Sequence, residues 1–217
     1  MAKRQNKSKN VEVTIKPLNK QKAIFHIRGT SILVQNRFSE KAKRLMIETQ
    51  EAGSTAKKGK NRKPKDFEEL YKATRYTSNK AWYGHPASGF RNAMISACKL
   101  CGFAMTRAKL SIFVIADGYD KNDMTPLVKI TKGTSIKRTD PVRISKNTTD
   151  IRSRAMFAPG WEMKLTIEWD ADQFTLDDVT NLLVRVGEQV GIGEGRNDSK
   201  TSAGMGWGSF TVLGKGK

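Results

Sequence analysis

Histidine and cysteine, which carry much of the acid–base and metal chemistry of proteins, occur only twice each in this chain. Its 217 residues include two cysteines, Cys98 and Cys101, spaced as one Cys-x-x-Cys pair. A structural zinc site needs about four ligands, and a second ligand pair is missing. Because both cysteines fall on the apolar side of a predicted helix, we expect two thiols in the core. No metal site and no cofactor are predicted.

Acid–base catalysis would have to use isolated groups. His85 precedes a predicted helix, and His26 lies on a predicted strand. General acid–base catalysis normally needs a second positioned group, so no catalytic residue is assigned. Asp117, Asp120 and Asp123 lack the glycine and glutamate of a calcium-binding hand, and we expect a solvated turn there. RNA cleavage by a histidine or an aspartate remains the enzymatic alternative.

Phosphate binding has better candidates, first at the start of a predicted helix. The segment from His85 to Arg91 reads His-Pro-Ala-Ser-Gly-Phe-Arg, with Ser88 as the predicted N-cap. Exposed N–H groups and the positive end of a helix dipole bind phosphate, and Arg91 would add donors. The alternative is a capping serine beside a surface arginine.

The charge of the chain points to a polyanionic partner. Lys and Arg number 40 against 21 Asp and Glu, which gives a net charge of +19 and an isoelectric point near 10.1. Residues 1–10 form a basic tail, and residues 51–65 form a polar insertion that is predicted to be flexible. A solvated linker is the alternative for the insertion. The cations proposed to track phosphates are Lys57, Lys58, Lys60, Arg62, Lys63 and Lys65.

Aromatic residues interleaved with cations follow this insertion. Trp82 and Tyr83, with Arg75 nearby, suit a single strand because bases stack on rings while cations hold the backbone. Packing of these rings in the core is the alternative.

A glycine-rich segment near the C-terminus follows a predicted helix and precedes a predicted strand. A dinucleotide-binding fingerprint has the opposite order, strand first and helix second. We expect glycines at positive φ that shape the last sheet edge and let a strand or a neighbouring subunit approach, with Arg196 and Lys200 adding charge. The glycines are Gly191, Gly193, Gly195, Gly204, Gly206 and Gly208.

Hydrophobic periodicity predicts the elements that position these groups. The predicted strands are 23–27, 32–34, 110–115, 163–169 and one ending near Leu213. The predicted helices are 39–50, one starting at Ser88, and 176–190. The last helix is preceded by a predicted capping box, formed by Thr175 and Asp178. Alternating strands and helices with antiparallel returns predict a single α+β domain with a ferredoxin-like core, of the kind used by RNA-recognition modules.

The helix start and the glycine-rich segment, in this order, resemble the RAMP superfamily of CRISPR-associated proteins, most closely its backbone subunits. Those proteins carry a Pro-Gly-Ser-Ser-large apolar-Lys-Gly helix start and a C-terminal glycine-rich loop. Pro86, Ser88, Phe90 and Arg91 match the helix start, whereas Ala87 replaces the family's glycine. The resemblance implies that the helix start touches an RNA backbone and that a long insertion reaches across the RNA.

The predicted function is therefore non-enzymatic binding of single-stranded nucleic acid, with RNA favoured over DNA. The resemblance further implies repeated copies along the strand, as a homo-oligomer or filament, with other effector subunits as further partners. A stand-alone single-stranded DNA binding or annealing protein of a virus or mobile element is the alternative, and a scaffold protein is a third. No apolar run approaches the roughly 18 residues of a membrane span, and a reducing cytoplasm fits the low cysteine content.

Overall fold

The computed structural model describes residues 15–38, 40–51, 64–145, 148–199 and 204–216. Predictions for the basic tail, for Lys200 and for most of the basic insertion lie outside these residues. The insertion cations concerned are Lys57, Lys58, Lys60, Arg62 and Lys63.

The described chain forms ten strands and five α-helices, with a 3-10 turn at Cys98–Cys101 and a π-helical turn at Val186–Val190. The strands are β1 (Lys20–Gly29), β2 (Leu33–Gln35), β3 (Gly84–Pro86), β4 (Ile112–Ile115), β5 (Gly118–Tyr119), β6 (Pro126–Lys132), β7 (Ser135–Ser145), β8 (Thr148–Phe157), β9 (Glu162–Asp170) and β10 (Phe210–Gly216). The helices are α1 (Glu40–Glu51), α2 (Phe67–Ala73), α3 (Ala87–Ala97), α4 (Met105–Ser111) and α5 (Leu176–Arg185).

The larger sheet is built around β9. This strand pairs antiparallel with β1 on one side and with β4 and β6, one after the other, on its other side. β10 extends the sheet beyond β1, also antiparallel, and β3 and β5 pair with β6. The fold is thus α+β with antiparallel sheets, as the sequence predicts.

The hydrophobic core lies on one face of this sheet. Alternating residues of β1 and β9, such as Phe25, Ile27 and Leu165, are fully buried. They share one cluster with Phe90 of α3 and Val179 of α5. Because successive side chains of a strand point to opposite faces, the alternating apolar residues fall on the one face that the helices cover.

Several element boundaries follow the predictions and others do not. The capping box at the start of α5 is confirmed, because Thr175 and Asp178 each accept from the other's backbone N–H. The predicted strand 110–115 is wrong at its start, since Leu110 and Ser111 end α4. Ser88 is not an N-cap: α3 begins at Ala87 and is preceded by Pro86, without a side-chain cap. Pro86 has no N–H that needs a partner and stands immediately before the first turn.

The two thiols lie in different environments. Cys98 is buried in the core, whereas Cys101 is exposed where the 3-10 turn ends. Burial raises the pKa of the Cys98 thiol to about 11. The prediction of two core thiols is therefore right for Cys98 and wrong for Cys101, because the α-helix ends at Ala97 and the tighter turn rotates Cys101 away from the core.

A three-stranded antiparallel sheet, in the order β2, β8, β7, stands beside the larger one. β7 and β8 pair with each other from Ser135 and Phe157 at the base to Ser145 and Thr148 near the tip. None of the described side chains from Asp140 to Asp150 is buried. The two strands form a long, basic hairpin that the sequence patterns did not predict.

The glycine-rich segment folds against β2 and against itself. Its six glycines all have φ between +71° and +79°, so the predicted positive φ is confirmed. Gly208 donates to the Ile32 carbonyl at 2.7 Å, and Glu194 donates to the Val34 carbonyl at 2.9 Å. At Gly208 the approach is closest: a Cβ there would lie 1.8 Å from the carbonyl oxygen of Ile192. The glycine-rich segment is thus closely packed and forms a fixed part of the fold.

Gly208 and Gly206 provide a matched pair for testing this close packing. Gly206 has the same positive φ, but a Cβ there would meet nothing within 4 Å. We expect Gly206→Ala to lower the free energy of unfolding by about 1 kcal/mol through φ strain alone. Gly208→Ala should cost about 3 kcal/mol or more, because the backbone must move. Urea unfolding measures both values, and equal losses would contradict the close approach.

The described residues contain no helix that is long and apolar enough to cross a membrane.

Candidate functional site

A cleft of about 470 Å³ lies among the described residues where three parts of the chain meet. One wall is the face of α3 from Ser88 to Ser96, and the opposite wall is the glycine-rich segment from Ile192 to Asp198. The end of β2, with Asn36, closes one side. Sequence reasoning singled out the helix start and the glycine-rich segment separately, and the fold places them across one cleft.

The α3 wall presents a row of small polar side chains. Ser88, Asn92 and Ser96 recur every four residues, so they lie on one face of the helix. Ser88 and Asn92 are exposed and Ser96 is half-buried. Their side chains make no hydrogen bond to another described residue. The opposite face of α3 carries Phe90 and Met94 into the core. The cleft face is therefore free to bind a polar ligand.

His85 closes the inner end of the cleft. This residue lies on β3, and its side chain is 5% exposed. The imidazole packs edge to face on Phe90, with the two ring centres 5.6 Å apart. Burial, with a smaller contribution from the Arg196 charge, lowers the pKa of His85 to about 3. The imidazole is therefore uncharged at neutral pH. Such a weak base is poorly matched to general-base catalysis, for which a pKa near the working pH is best.

The glycine-rich wall supplies charge. Arg196 is half-buried, and its Nη1 donates to the Gly193 carbonyl at 3.1 Å, which holds the guanidinium along the wall. Glu194 pairs with the buried Arg154 at 3.0 Å, so its negative charge is compensated. Asp198 is exposed at the rim. Arg196 is thus the cation that lines this cleft, and it is a better donor for phosphate than for a neutral group.

A buried glutamine fixes the geometry between β2 and β3. Gln35 Nε2 donates to the Gly84 carbonyl at 2.7 Å, and its Oε1 accepts from the Tyr76 N–H at 3.3 Å. Gly84 directly precedes His85, so these two hydrogen bonds determine where the imidazole lies relative to Asn36. A buried amide that is bonded through both its nitrogen and its oxygen stabilises one arrangement over its alternatives.

The acidic loop is not a solvated turn at its centre. Asp120 is fully buried, accepts from the Thr77 and Asn122 N–H groups, and lies 3.3 Å from the Arg37 guanidinium. Arg37 also pairs with Asp123 at 3.0 Å. The prediction is wrong because Arg37, far away in sequence, enters the loop and compensates its charge. No group of three potential metal ligands occurs in the described part of the chain.

Four of the sequence-predicted site residues line the cleft: His85, Ser88, Gly193 and Arg196. Arg91, in contrast, points away from it. Its Nε donates to the Ile112 carbonyl at 2.9 Å and its guanidinium lies 5.2 Å from the Phe113 ring centre. Arg91 thus joins α3 to β4.

Arg75, Trp82 and Tyr83, which precede β3, also lie outside the cleft lining, whereas Tyr76 is part of it. Arg75 stacks between Tyr71 and Tyr83, 4.8 Å and 5.4 Å from the ring centres, and donates to the Tyr83 hydroxyl. Tyr83 packs edge to face on Phe157. Trp82 is half-buried, and a Cβ on Gly84 or Gly118 would meet its ring at 2.9 Å. These rings have packing partners within the protein.

Lys65 is the one insertion cation that the structure describes, and it pairs with Asp150 of the β7–β8 hairpin. Sequence reasoning missed both this hairpin and the Ser88, Asn92, Ser96 row. The row has a sequence signal, which is a small polar residue every four positions on a helix that is otherwise apolar apart from Gly89 and Arg91. The hairpin has no such sequence signal, because its strands carry cations on both faces.

Comparison of the sequence with models of known protein families and with curated proteins finds no match.

The burial of His85 predicts a pH dependence of stability. Unfolding restores the pKa of His85 from about 3 to about 6.5. At pH values between these two, the unfolded chain binds more protons than the folded chain, so the free energy of unfolding falls as the pH is lowered. Between pH 7.5 and pH 5 this costs about 2 kcal/mol. His85→Gln lacks the titrating group, so its loss over the same interval should be smaller by that amount. Urea unfolding of both proteins at several pH values measures the difference, and parallel curves would contradict burial of the imidazole.

Proposed function

We propose that this chain is a non-enzymatic protein that binds single-stranded nucleic acid, with RNA preferred, in the cleft between α3 and the glycine-rich segment. The observation that carries the proposal is the cleft itself, in a chain with a net charge of +19. It brings together a cation and a row of polar side chains that have no hydrogen-bond partner among the described residues. Polar side chains and backbone groups position sugar and phosphate, while the overall charge supplies non-specific affinity.

The size of the cleft supports a nucleotide-sized occupant. Its volume of about 470 Å³ lies in the range of small-molecule sites, roughly 300 to 1,000 Å³. Its lining is polar for the most part, and serine and asparagine side chains can bond sugars, phosphates and base edges alike. An extended strand could enter one nucleotide at a time, with the remaining nucleotides held by cations outside the cleft.

The arrangement of the larger sheet supports a ferredoxin-like core as part of the proposal. The elements β1, α3, β4, β9, α5 and β10 follow the β-α-β-β-α-β order of that fold. Their strands lie in the spatial order β10, β1, β9, β4, with all three neighbouring pairs antiparallel. In this proposal, β6, β3, β5 and the small sheet are additions to the core.

The resemblance to RAMP backbone subunits extends the proposal to assembly. In this interpretation repeated copies lie along one strand, and the basic insertion of residues 51–65 and the β7–β8 hairpin are the parts that reach across it. The hairpin has the required character: Lys137, Arg143 and Arg152 lie along it. Its base contacts the cleft wall, since Arg154 of β8 pairs with Glu194. Nucleic acid leaving the cleft would therefore meet further cations.

A binding role is favoured over cleavage by the environments of the possible bases. The low pKa of His85 makes it a weak base, and Asp120 is held in an ion pair with Arg37. The Nδ1 of His85 has no hydrogen-bond partner among the described residues. Asp123 lies beside Asp120, but both carboxylates pair with Arg37, so neither site offers the uncommitted acid and base that catalysis of RNA cleavage would need.

Filling the cleft tests its role directly. Asn92→Trp places a large ring on the cleft face of α3, where the side chain is exposed, so we expect the fold to persist. Asn181→Trp is the matched control, because Asn181 is an exposed asparagine on α5 outside the cleft. We expect Asn92→Trp to weaken binding of a fluorescent 20-nucleotide RNA by about tenfold or more, corresponding to about 1.4 kcal/mol, and Asn181→Trp to leave it unchanged. Equal effects in an anisotropy titration would contradict binding in the cleft.

The basic insertion makes a separate prediction about salt dependence. Replacing Lys57, Lys58, Lys60, Arg62 and Lys63 by alanine should flatten the slope of log affinity against log salt, by about 0.7 for each phosphate that the variant no longer neutralises. Affinity should fall equally for different sequences, because phosphate contacts carry no base information. The measurement is a titration at 50, 100 and 200 mM salt. An unchanged slope would show that this segment does not track phosphates.

A further inference from the structure

The orientation of the His85 ring distinguishes its two nitrogens. Nδ1 is buried and has no hydrogen-bond partner in the described structure. The opposite edge of the ring lies against two glycines that line the cleft. A Cβ on Gly89 would be 3.0 Å from Nε2, and one on Gly193 would be 3.7 Å from Cε1. The absence of side chains at both positions leaves Nε2 accessible to a bound group.

The position of the proton follows from the cost of unpaired groups. A neutral imidazole carries one N–H and one acceptor nitrogen. A buried N–H without a partner is rarer in proteins than a buried acceptor without one, because the donor loses its only hydrogen bond. The proton therefore belongs on Nε2. His85 then presents an uncharged N–H donor to the inner end of the cleft.

We infer that His85 Nε2–H donates a hydrogen bond to the 2′-oxygen of a ribose bound in the cleft, and that this contact makes the protein prefer RNA over DNA. The inference rests on the proposed function and assigns the discrimination to one residue. A deoxyribose has no 2′-oxygen, so the donor would be desolvated without a partner. Leaving a buried donor unpaired is the usual way in which a polar site rejects the analogue that lacks a hydroxyl.

A hydroxyl suits this position better than a phosphate does. The ring is uncharged, and the neighbouring groups on α3 are the neutral side chains of Ser88 and Asn92. A phosphate placed against the ring would be held there by neutral groups only, whereas farther along the cleft it can pair directly with a guanidinium. Arg196, on the opposite wall, is the group that can pair with a phosphate. The sugar then lies at the His85 end of the cleft and its phosphate on the Arg196 side.

Three variants and two ligands test the contact. The ligands are an RNA and a DNA 20-mer of the same sequence, with T for U. His85→Leu removes the donor, whereas His85→Gln keeps an N–H near the place of Nε2. Gly89→Ala leaves His85 intact but puts a methyl group against Nε2. Alanine is favoured over glycine within a helix, so this variant should fold even if the substitutions of the buried histidine do not.

The wild-type protein should bind the RNA about tenfold more tightly than the DNA. His85→Leu and Gly89→Ala should each weaken RNA binding by about tenfold without weakening DNA binding, so that the preference disappears. His85→Gln should retain at least part of the preference.

Three other outcomes would overturn the inference. Equal affinity of the wild-type protein for RNA and DNA would overturn it while leaving single-strand binding in place. A Gly89→Ala protein that keeps the full preference would show that Nε2 does not contact the discriminating group. Equal loss of RNA and DNA binding in both Gly89→Ala and His85→Leu would give His85 a general role in shaping the cleft. Failure of the wild-type protein to bind either ligand would instead remove the proposed function itself.

Discussion

The site depends on the close approach of the glycine-rich segment to the strand and loop beside it. Gly208 lies so near Ile192 that a Cβ would reach 1.8 Å from its carbonyl oxygen, and the same residue donates to the Ile32 carbonyl. Because both ends of the segment are fixed in this way, Gly193 and Arg196 face α3 across the cleft. A bulkier chain would hold the wall farther out. The glycines thus act through the space they leave and through their positive φ, and the polar groups that bind a ligand come from elsewhere.

Buried polar groups give the cleft its second constraint. Gln35 ties β2 to the residue before His85, Arg37 holds the acidic loop, and Arg154 compensates Glu194. Each of these residues is buried and engaged by partners distant in sequence. A basic protein therefore uses some of its arginines for internal structure. The net charge of +19 attracts a polyanion, but only the cations without such internal roles are available to bind it.

Local sequence patterns were enough to predict the α+β class, the strands β1 and β9, and the capping box of α5, because alternation and helical periodicity record which face is buried. They failed where a distant partner decides the outcome. Arg91 looked like a phosphate ligand, yet it bonds the Ile112 carbonyl, and Tyr83 looked like a stacking ring, yet it packs on Phe157. The cleft could not be predicted as a unit, because its two walls are about 100 residues apart in the chain and only the sheet pairing brings them together. The Ser88, Asn92, Ser96 row was visible in the sequence but gained meaning only from that pairing.

The central claim is that a single nucleic-acid strand lies in the cleft between α3 and the glycine-rich segment. Photo-crosslinking of an RNA that carries 4-thiouridine, followed by mass spectrometry of the crosslinked peptides, locates the strand without changing the protein. The account predicts crosslinks in residues 85–96 and in residues 191–199, together with crosslinks in basic segments outside the cleft. Efficient crosslinking confined to the uncovered face of the large sheet or to the basic segments, with none to either cleft wall, would contradict it.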